Sequence, residues 1–172
     1  ADYAVKRVNT IMNDLLTELL AEESRLQFAY FNHQRAWELG CALKEAAKQL
    51  NASVAIDITV NNQCLFSYAM HNTTIDNLEW IRRKRNVVHR YQHSSWYMGN
   101  YYKAKESTIE KSALIDPREF APYGGSFPLT IRNTGVIGAI SVSGLPQKED
   151  HRLIVNVLER FLDPHETQEN RA

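Results

Sequence analysis

The order of elements in this chain predicts an α+β sandwich, an antiparallel sheet with helices packed on it. Two observations carry that expectation. Two short β-branched runs with tight turns read as hairpins, and each hairpin is preceded and followed by helix-period segments rather than alternating strand by strand with them. A doubly wound parallel sheet needs strand–helix alternation, which is missing.

The first helix is marked by Val8, Ile11, Met12, Leu15, Leu16, Leu19 and Leu20, which follow the i, i+3, i+4, i+7 rhythm, with Asp14, Glu18 and Glu22 on the other side. Such a stripe must be covered, by the chain's own sheet as the default or by a second subunit. A second helix is expected over 34–50, with Trp37, Leu39, Gly40, Leu43, Ala47 and Leu50 inward, and with Gly40 and Cys41 small enough for close approach of another element. In the run 54–60, Val54, Ile56, Ile58 and Val60 alternate with Ala55, Asp57 and Thr59. Asn61-Asn62 supplies a tight turn, because Asn tolerates the left-handed conformation, and 64–70 returns.

The third helix starts near Thr74, with Asp76 and Glu79 as a capping box, and ends around Gln92. Residues 101–113 read as a polar surface excursion. The second hairpin runs 127–132, turns at Asn133-Thr134-Gly135, and returns over 136–142, with Gly138 leaving space above the sheet. The last helix follows Gly144. Pro146 suits its first turn, Glu149 and Asp150 favour its positive end, and Leu153, Ile154, Val157, Leu158 and Phe161 are apolar. This order matches a profilin-like or PAS-like sandwich.

The chain's 172 residues fit one domain. Lys plus Arg and Asp plus Glu are 20 each, which argues against a general nucleic-acid binder, whose affinity needs excess positive charge. No apolar run reaches the ~20 residues of a membrane span, and no signal peptide is evident. Cys41 and Cys64 lack metal-ligand spacing and read as small buried hydrophobes; a reducing cytoplasm is expected.

Lys84 is the most informative residue. It interrupts the apolar stripe of Trp80, Ile81, Val87, Val88 and Tyr91, four after Trp80 and four before Val88. A charge there either snorkels or is paired internally, or it serves as an anion-binding or proton-handling group at a polar pocket. Arg82, Arg83 and Arg85 read as a solvated face. His89, His93 and Met98 gather near the helix end, where His or Met is able to serve a tetrapyrrole iron as an axial ligand. Structural histidines are the alternative. No third metal ligand is evident. Ser94 and Ser95 read as helix-end hydrogen bonders, because a nucleophile–base pair of His93 with an adjacent serine is geometrically unusual.

Gly124 and Gly125 bring backbone amides close to a ligand or form an ordinary turn. Asp57 orients Lys84 or an arginine, or faces solvent. Glu149, Asp150 and His151 are three consecutive helical residues and do not converge. The sequence therefore offers no convincing catalytic set, and no Walker, Rossmann or nucleophile-elbow motif occurs.

The runs TIDNLEWIRRK (74–84), HSSWYMG (93–99), YGGSFPL (123–129) and SVSGLPQKEDH (141–151), in this order, resemble an uncharacterised branch of the heme-degrading HbpS/GlcG-like superfamily, which includes the PduO C-terminal domain. The resemblance covers about 28–162. It divides the chain into an N-terminal amphipathic helix (1–27) offering an oligomer contact, the HbpS/GlcG-like domain (28–164) and a polar tail (165–172). It implies a profilin-like sandwich with a five-stranded antiparallel sheet, a homo-oligomer, and heme or corrinoid association. It also places Lys84, Arg90, His93, Ser94, Ser95, Gly124, Gly125 and Asp150 in the branch's recurring pattern. The function expected is that of a small-molecule-binding domain, the alternative being an oligomeric scaffold for other proteins without ligand chemistry.

Overall fold

The computed structural model describes residues 2–164; the expected polar tail lies outside the described residues. The chain runs α1 (Asp2–Arg25), α2 (His33–Gln49), β1 (Ala55–Val60), β2 (Gln63–Ala69), α3 (Ile75–Tyr91), α4 (Ser95–Ala104), α5 (Ile109–Ala113), β3 (Ser126–Ile131), β4 (Gly135–Ser143) and α6 (Gln147–Phe161). The expected α+β sandwich is present, but among the described residues the sheet has four strands, not five, in the order β2-β1-β4-β3 and antiparallel throughout. A fifth strand position is reduced to a single bridge. Phe28 N–H donates to Thr130 O at 2.8 Å and Phe28 O accepts from Arg132 N–H at 2.8 Å, parallel to β3. The backbone leaves that line at once, as Asn32 caps α2.

Both hairpins turn as their residues dictate. Asn61 and Asn62 have φ of 49° and 65°, the left-handed pair of a two-residue type I′ turn. Asn133 and Gly135 take positive φ in the second turn.

The two faces of the sheet differ in chemistry. Ile56, Ile58, Phe127, Leu129, Ile140 and Val142 point toward α2 and α6 and form the main core with Leu39, Leu43, Ile154 and Leu158. The opposite face, under α3, is small and polar: Asp57, Ser141 and Ser126 stand in one row across β1, β4 and β3, with Ala55 and Ser143 beside them. A buried polar face is costly unless its groups are satisfied. Here the Ser126 and Ser141 hydroxyls bond each other at 2.8 Å, and Ser143 Oγ accepts from Asn77 Nδ2 at 3.3 Å.

Several expectations are corrected. Trp37 and Leu50 are largely exposed. The inner face of α2 is instead Ala36, Leu39, Gly40, Leu43, Ala46 and Ala47, and Trp37 lies edge-on over Phe66. Gly40 does permit close approach, since a Cβ there would meet the Phe66 ring at 2.4 Å. Gly138 leaves no space, because its Cβ position is filled by Thr59 O at 2.0 Å. Cys64 is exposed rather than buried, its strand β2 being the sheet edge. The cap of α3 is Thr74 with Asn77, not Asp76 with Glu79. The stretch 101–113 is partly helical, because α4 runs to Ala104 and α5 follows. Val87, Met98, Tyr102 and Ile109 form a second small core there.

Helix α1 does not pack on the sheet. It lies against α4 and is held at its last turns: Glu22 accepts from Arg152 at 2.7 Å and meets His151 Nε2 at 3.2 Å, while Arg25 pairs with Glu159. Leu19 is buried, but Val8 and Ile11 are each 58% exposed. No helix among the described residues is long and apolar enough to cross a membrane.

Candidate functional site

The polar face of the sheet is what admits Lys84. Its place in the α3 stripe turns the side chain into the sheet, where small residues leave room, and it is 3% exposed. The ammonium donates to Asp150 Oδ2 at 3.1 Å and to Val142 O at 3.3 Å. Asp150 sits one turn into α6 and reaches back, its Oδ1 accepting from Leu145 N–H at 2.9 Å. Burial pushes Lys84 below the ordinary lysine range, opposed by the charge of Asp150 and its hydrogen bond. Burial likewise raises Asp150 to about 6, opposed by Lys84 and by the amides of Leu145 and Gly144. Desolvation is the largest cause in both, so each group is moved toward its neutral form.

Gly125 shapes the surroundings of this amine. It has φ +130°, and a Cβ would fall 2.5 Å from both Lys84 Nζ and Val142 O. Gly124 N–H donates to Gln147 Oε1 at 3.1 Å, which ties the glycine loop to the start of α6. The Lys84–Asp150 pair forms the floor of an open cleft of about 320 Å³, between the N-terminal ends of α3 and α6. Trp80 and Tyr123 form one wall, edge to face with centroids 5.8 Å apart, and the rim includes Asp76, Asn77, Ser143 and Gln147.

Of the residues singled out in the sequence, Lys84, Gly124, Gly125 and Asp150 converge here. The others do not. Asp57 orients an arginine, not Lys84: its Oδ1 accepts from Arg85 at 2.9 Å and from Thr59 Oγ1 at 2.7 Å. Arg85 is therefore half-buried rather than part of a solvated face. His89 is also near Arg85 and Asp57, and burial with the Arg85 charge lowers its pKa. Arg90 is exposed, stacked over Tyr91 and Phe120.

His93 belongs to a second place. Its Nδ1 meets Glu23 Oε2 at 2.6 Å, and Glu23 Oε1 accepts from Ser94 N–H at 2.7 Å. The Glu23 hydrogen bond raises the His93 pKa. With Met98 and Tyr91, Tyr97, Tyr101 and Tyr102, His93 lines an aromatic pocket of about 280 Å³. Ser94 Oγ caps α4 by accepting from Tyr97 N–H, and Ser95 Oγ accepts from Ser126 N–H at 3.0 Å. Both hydroxyls are committed to structure, and neither is bonded to His93.

Glu22 and Glu23 escape a reading of the sequence, where they are two more charges on an amphipathic helix. Only the fold brings them to His151, Arg152 and His93. Glu149, Asp150 and His151 diverge as helical geometry requires: Glu149 borders a groove beside α2, Asp150 meets Lys84, and His151 is buried against Glu22.

The comparisons with known proteins agree with this architecture. The profile of the family described as "Haem degrading protein HbpS-like" matches residues 31–159. A UPF0303 protein of Edwardsiella ictaluri is 51% identical over 149 residues, spanning 87% of this chain and 95% of that one. The crystal structure of the Ybr137w protein superposes with a TM-score of 0.81 at 32% identity, covering 94% of this chain and 97% of the other. The PduOC:heme complex superposes at 0.63 with 15% identity, covering 77% and 95%, a likeness of fold alone. The chain belongs to the HbpS-like family.

Proposed function

We propose that this chain is a homo-oligomeric, cytoplasmic small-molecule-binding domain whose ligand sits in the cleft above Lys84 and Asp150. The buried ion pair carries this reading. Two desolvated charges are a poor way to stabilise a core, but at the floor of a cleft with an aromatic wall they form a polar anchor of the kind ligand sites use. The pair falls at the junction of three of the sequence runs that the resemblance singles out. Trp80 reports on the cleft directly: a ligand that quenches or shifts tryptophan fluorescence saturably in the native chain, and fails to do so in Trp80→Phe, supports the reading. Retention of the full signal in Trp80→Phe sinks it.

A tetrapyrrole is favoured by a separate observation, the hydrogen bond from His93 Nδ1 to Glu23. A carboxylate on one ring nitrogen is the usual way a metal-ligating histidine is oriented. His93 and buried Met98 share one aromatic pocket, so this donor set fits an axial-ligand role. His89, placed beside Asp57, does not join it. The iron would supply any redox or ligand-binding chemistry, and His93 would hold it. Hemin titration should give a saturable Soret shift that is lost in His93→Ala and kept in Lys84→Met. The reverse pattern would move the tetrapyrrole to the cleft.

The exposed stripe of Val5, Val8 and Ile11 on α1 supports a second copy as its cover. Val8→Asp with Ile11→Asp should lower the mass in light scattering; an unchanged oligomer counts against this use of α1. The two unpaired thiols, Cys41 and exposed Cys64, suit a reducing compartment.

A further inference from the structure

We propose that Lys84 is the amine of a carbonyl-binding site, in which a small, flat, uncharged aldehyde or ketone condenses with Nζ to a Schiff base while Asp150 moves the protons. This rests on the cleft being the ligand seat.

The geometry around Nζ is that of a held but incompletely used nitrogen. A lysine nitrogen offers three donor positions. Two are taken, by Val142 O at 3.3 Å and Asp150 Oδ2 at 3.1 Å. The third has no acceptor among the described residues, and the side chain lines the cleft. Gly125 is the residue that leaves space beside the amine, since a methyl group there would sit 2.5 Å from Nζ. Asp150 is anchored through Oδ1 by Leu145 N–H, which holds Oδ2 within proton-transfer distance of the nitrogen. Burial drives lysine and carboxyl toward amine and acid, the forms that addition to a carbonyl requires.

The ligand class follows from the walls. Two acidic lining groups, Asp76 and Asp150, face one basic group, Lys84, leaving one net negative charge, which disfavours an anionic ligand. The Trp80 and Tyr123 rings offer contact to a flat group. A volume of about 320 Å³ accommodates a single-ring compound.

The step balances without a co-reactant. The lone pair of the neutral amine forms an N–C bond to the carbonyl carbon, and the C=O π pair moves to oxygen, which takes the Asp150 proton. The carboxylate then recovers a proton from nitrogen. The nitrogen lone pair forms C=N as the C–O bond breaks, the hydroxyl leaves as water with that proton, and the Asp150 carboxylate takes the remaining N–H proton from the iminium. The sum is carbonyl plus amine to imine plus water.

The test uses the full chain with benzaldehyde and sodium cyanoborohydride, which fixes an iminium as a secondary amine, followed by peptide mass mapping. Lys84 should be modified at least tenfold faster than any other lysine. Asp150→Asn should slow that adduct tenfold or more; an adduct rate within about twofold of the native chain would overturn the proton-moving role of Asp150. Adducts spread evenly over exposed lysines with Lys84 untouched overturn the proposal. In that case, aldehyde binding that is lost in Trp80→Ala leaves the cleft as ligand seat; absence of both adduct and binding removes the two readings together. The Lys84→Met/Asp150→Asn chain, which leaves no buried charge unpaired, should retain only the slow adducts of the other lysines. The wild-type map decides the question even if that chain fails to fold.

Discussion

Replacing Lys84 by Met removes the ammonium, keeps most of the stem, and leaves Asp150 buried at 1% exposure with only backbone amides for company. The size of the effect depends on pH. In the native protein Asp150 titrates at about 6 against an ordinary 3.8. Its folded pKa is raised, so the native state binds more protons than the unfolded chain between those values, and stability falls as pH climbs from about 4 to 6. Above pH 6 that loss is complete at about 3 kcal/mol, at 1.36 kcal/mol per unit. In Lys84→Met the charge and the hydrogen bond that hold Asp150 down are gone, so its pKa rises further and the fall continues past pH 6. The gap between native and variant chains should therefore be flat from pH 5 to 6. It should then open by up to about 1.4 kcal/mol per unit, reaching about 3 kcal/mol at pH 8. That lies at the lower end of the ~3–5 kcal/mol cost of breaking a buried pair. Urea denaturation at pH 5, 6, 7 and 8 measures it, and for a chain of this length the pH 8 gap corresponds to about 6–12 °C in Tm. A gap that does not change with pH would refute the reasoning, because Asp150 would then not be titrating against Lys84.

Gly125→Ala should lose about 1–3 kcal/mol from a non-glycine residue held at positive φ, and should in addition displace the Lys84 ammonium; an Asp150 pKa by NMR unchanged from the native protein would contradict the close contact. Glu23→Gln should lower the His93 pKa toward its ordinary value. Because a raised histidine pKa stabilises below the unfolded value of about 6.5 and is lost as pH rises through the folded one, the variant should be weaker at pH 5.5 and near native at pH 8. The effect should stay under about 1 kcal/mol, since His93 is 40% exposed. An NMR titration with no shift in His93 would count against the pair.

The sheet and its hairpins were legible because their signals are local. Asn61-Asn62 between two β-branched runs specifies a turn without help from the rest of the chain. Lys84 was legible as an anomaly, because a cation in an apolar stripe conflicts with the pattern around it. Its partner was not, since Asp150 lies 66 residues away and looks like an ordinary first-turn acid of α6. The same holds for Glu23, 70 residues from His93. Trp37 misled for a different reason. Its hydrophobic ring fits the helical period, but the period fixes only an angle around α2, and the sheet covers the arc centred on Leu39 and Leu43. Helix α4 was missed because HSSWYMGNYY lacks a clean apolar stripe: it packs against α1, α3, α6 and β3 at once, so its burial is spread around the helix.

The polar face under α3 bears on why the charged pair is retained. If Lys84 and Asp150 served only to join α3 to α6, a neutral pair of similar shape would do as well or better, because replacing both members of a buried ion pair is commonly neutral or stabilising by about 1–4 kcal/mol. The serine rows offer hydrogen-bond partners that a neutral pair is able to use, and after Asp150→Asn the side-chain amide oxygen still accepts from Leu145 N–H. Lys84→Met/Asp150→Asn should therefore match or exceed the native chain in stability at pH 8, while Lys84→Met alone falls short. The same double variant should lose ligand response in the cleft. Stability kept and binding lost would separate the role of the charges from the role of the fold. Stability lost in the double variant to the same extent as in the single one would mean that the pair is a structural tie after all, and the case for a ligand seat at this point of the sheet would lose its main support.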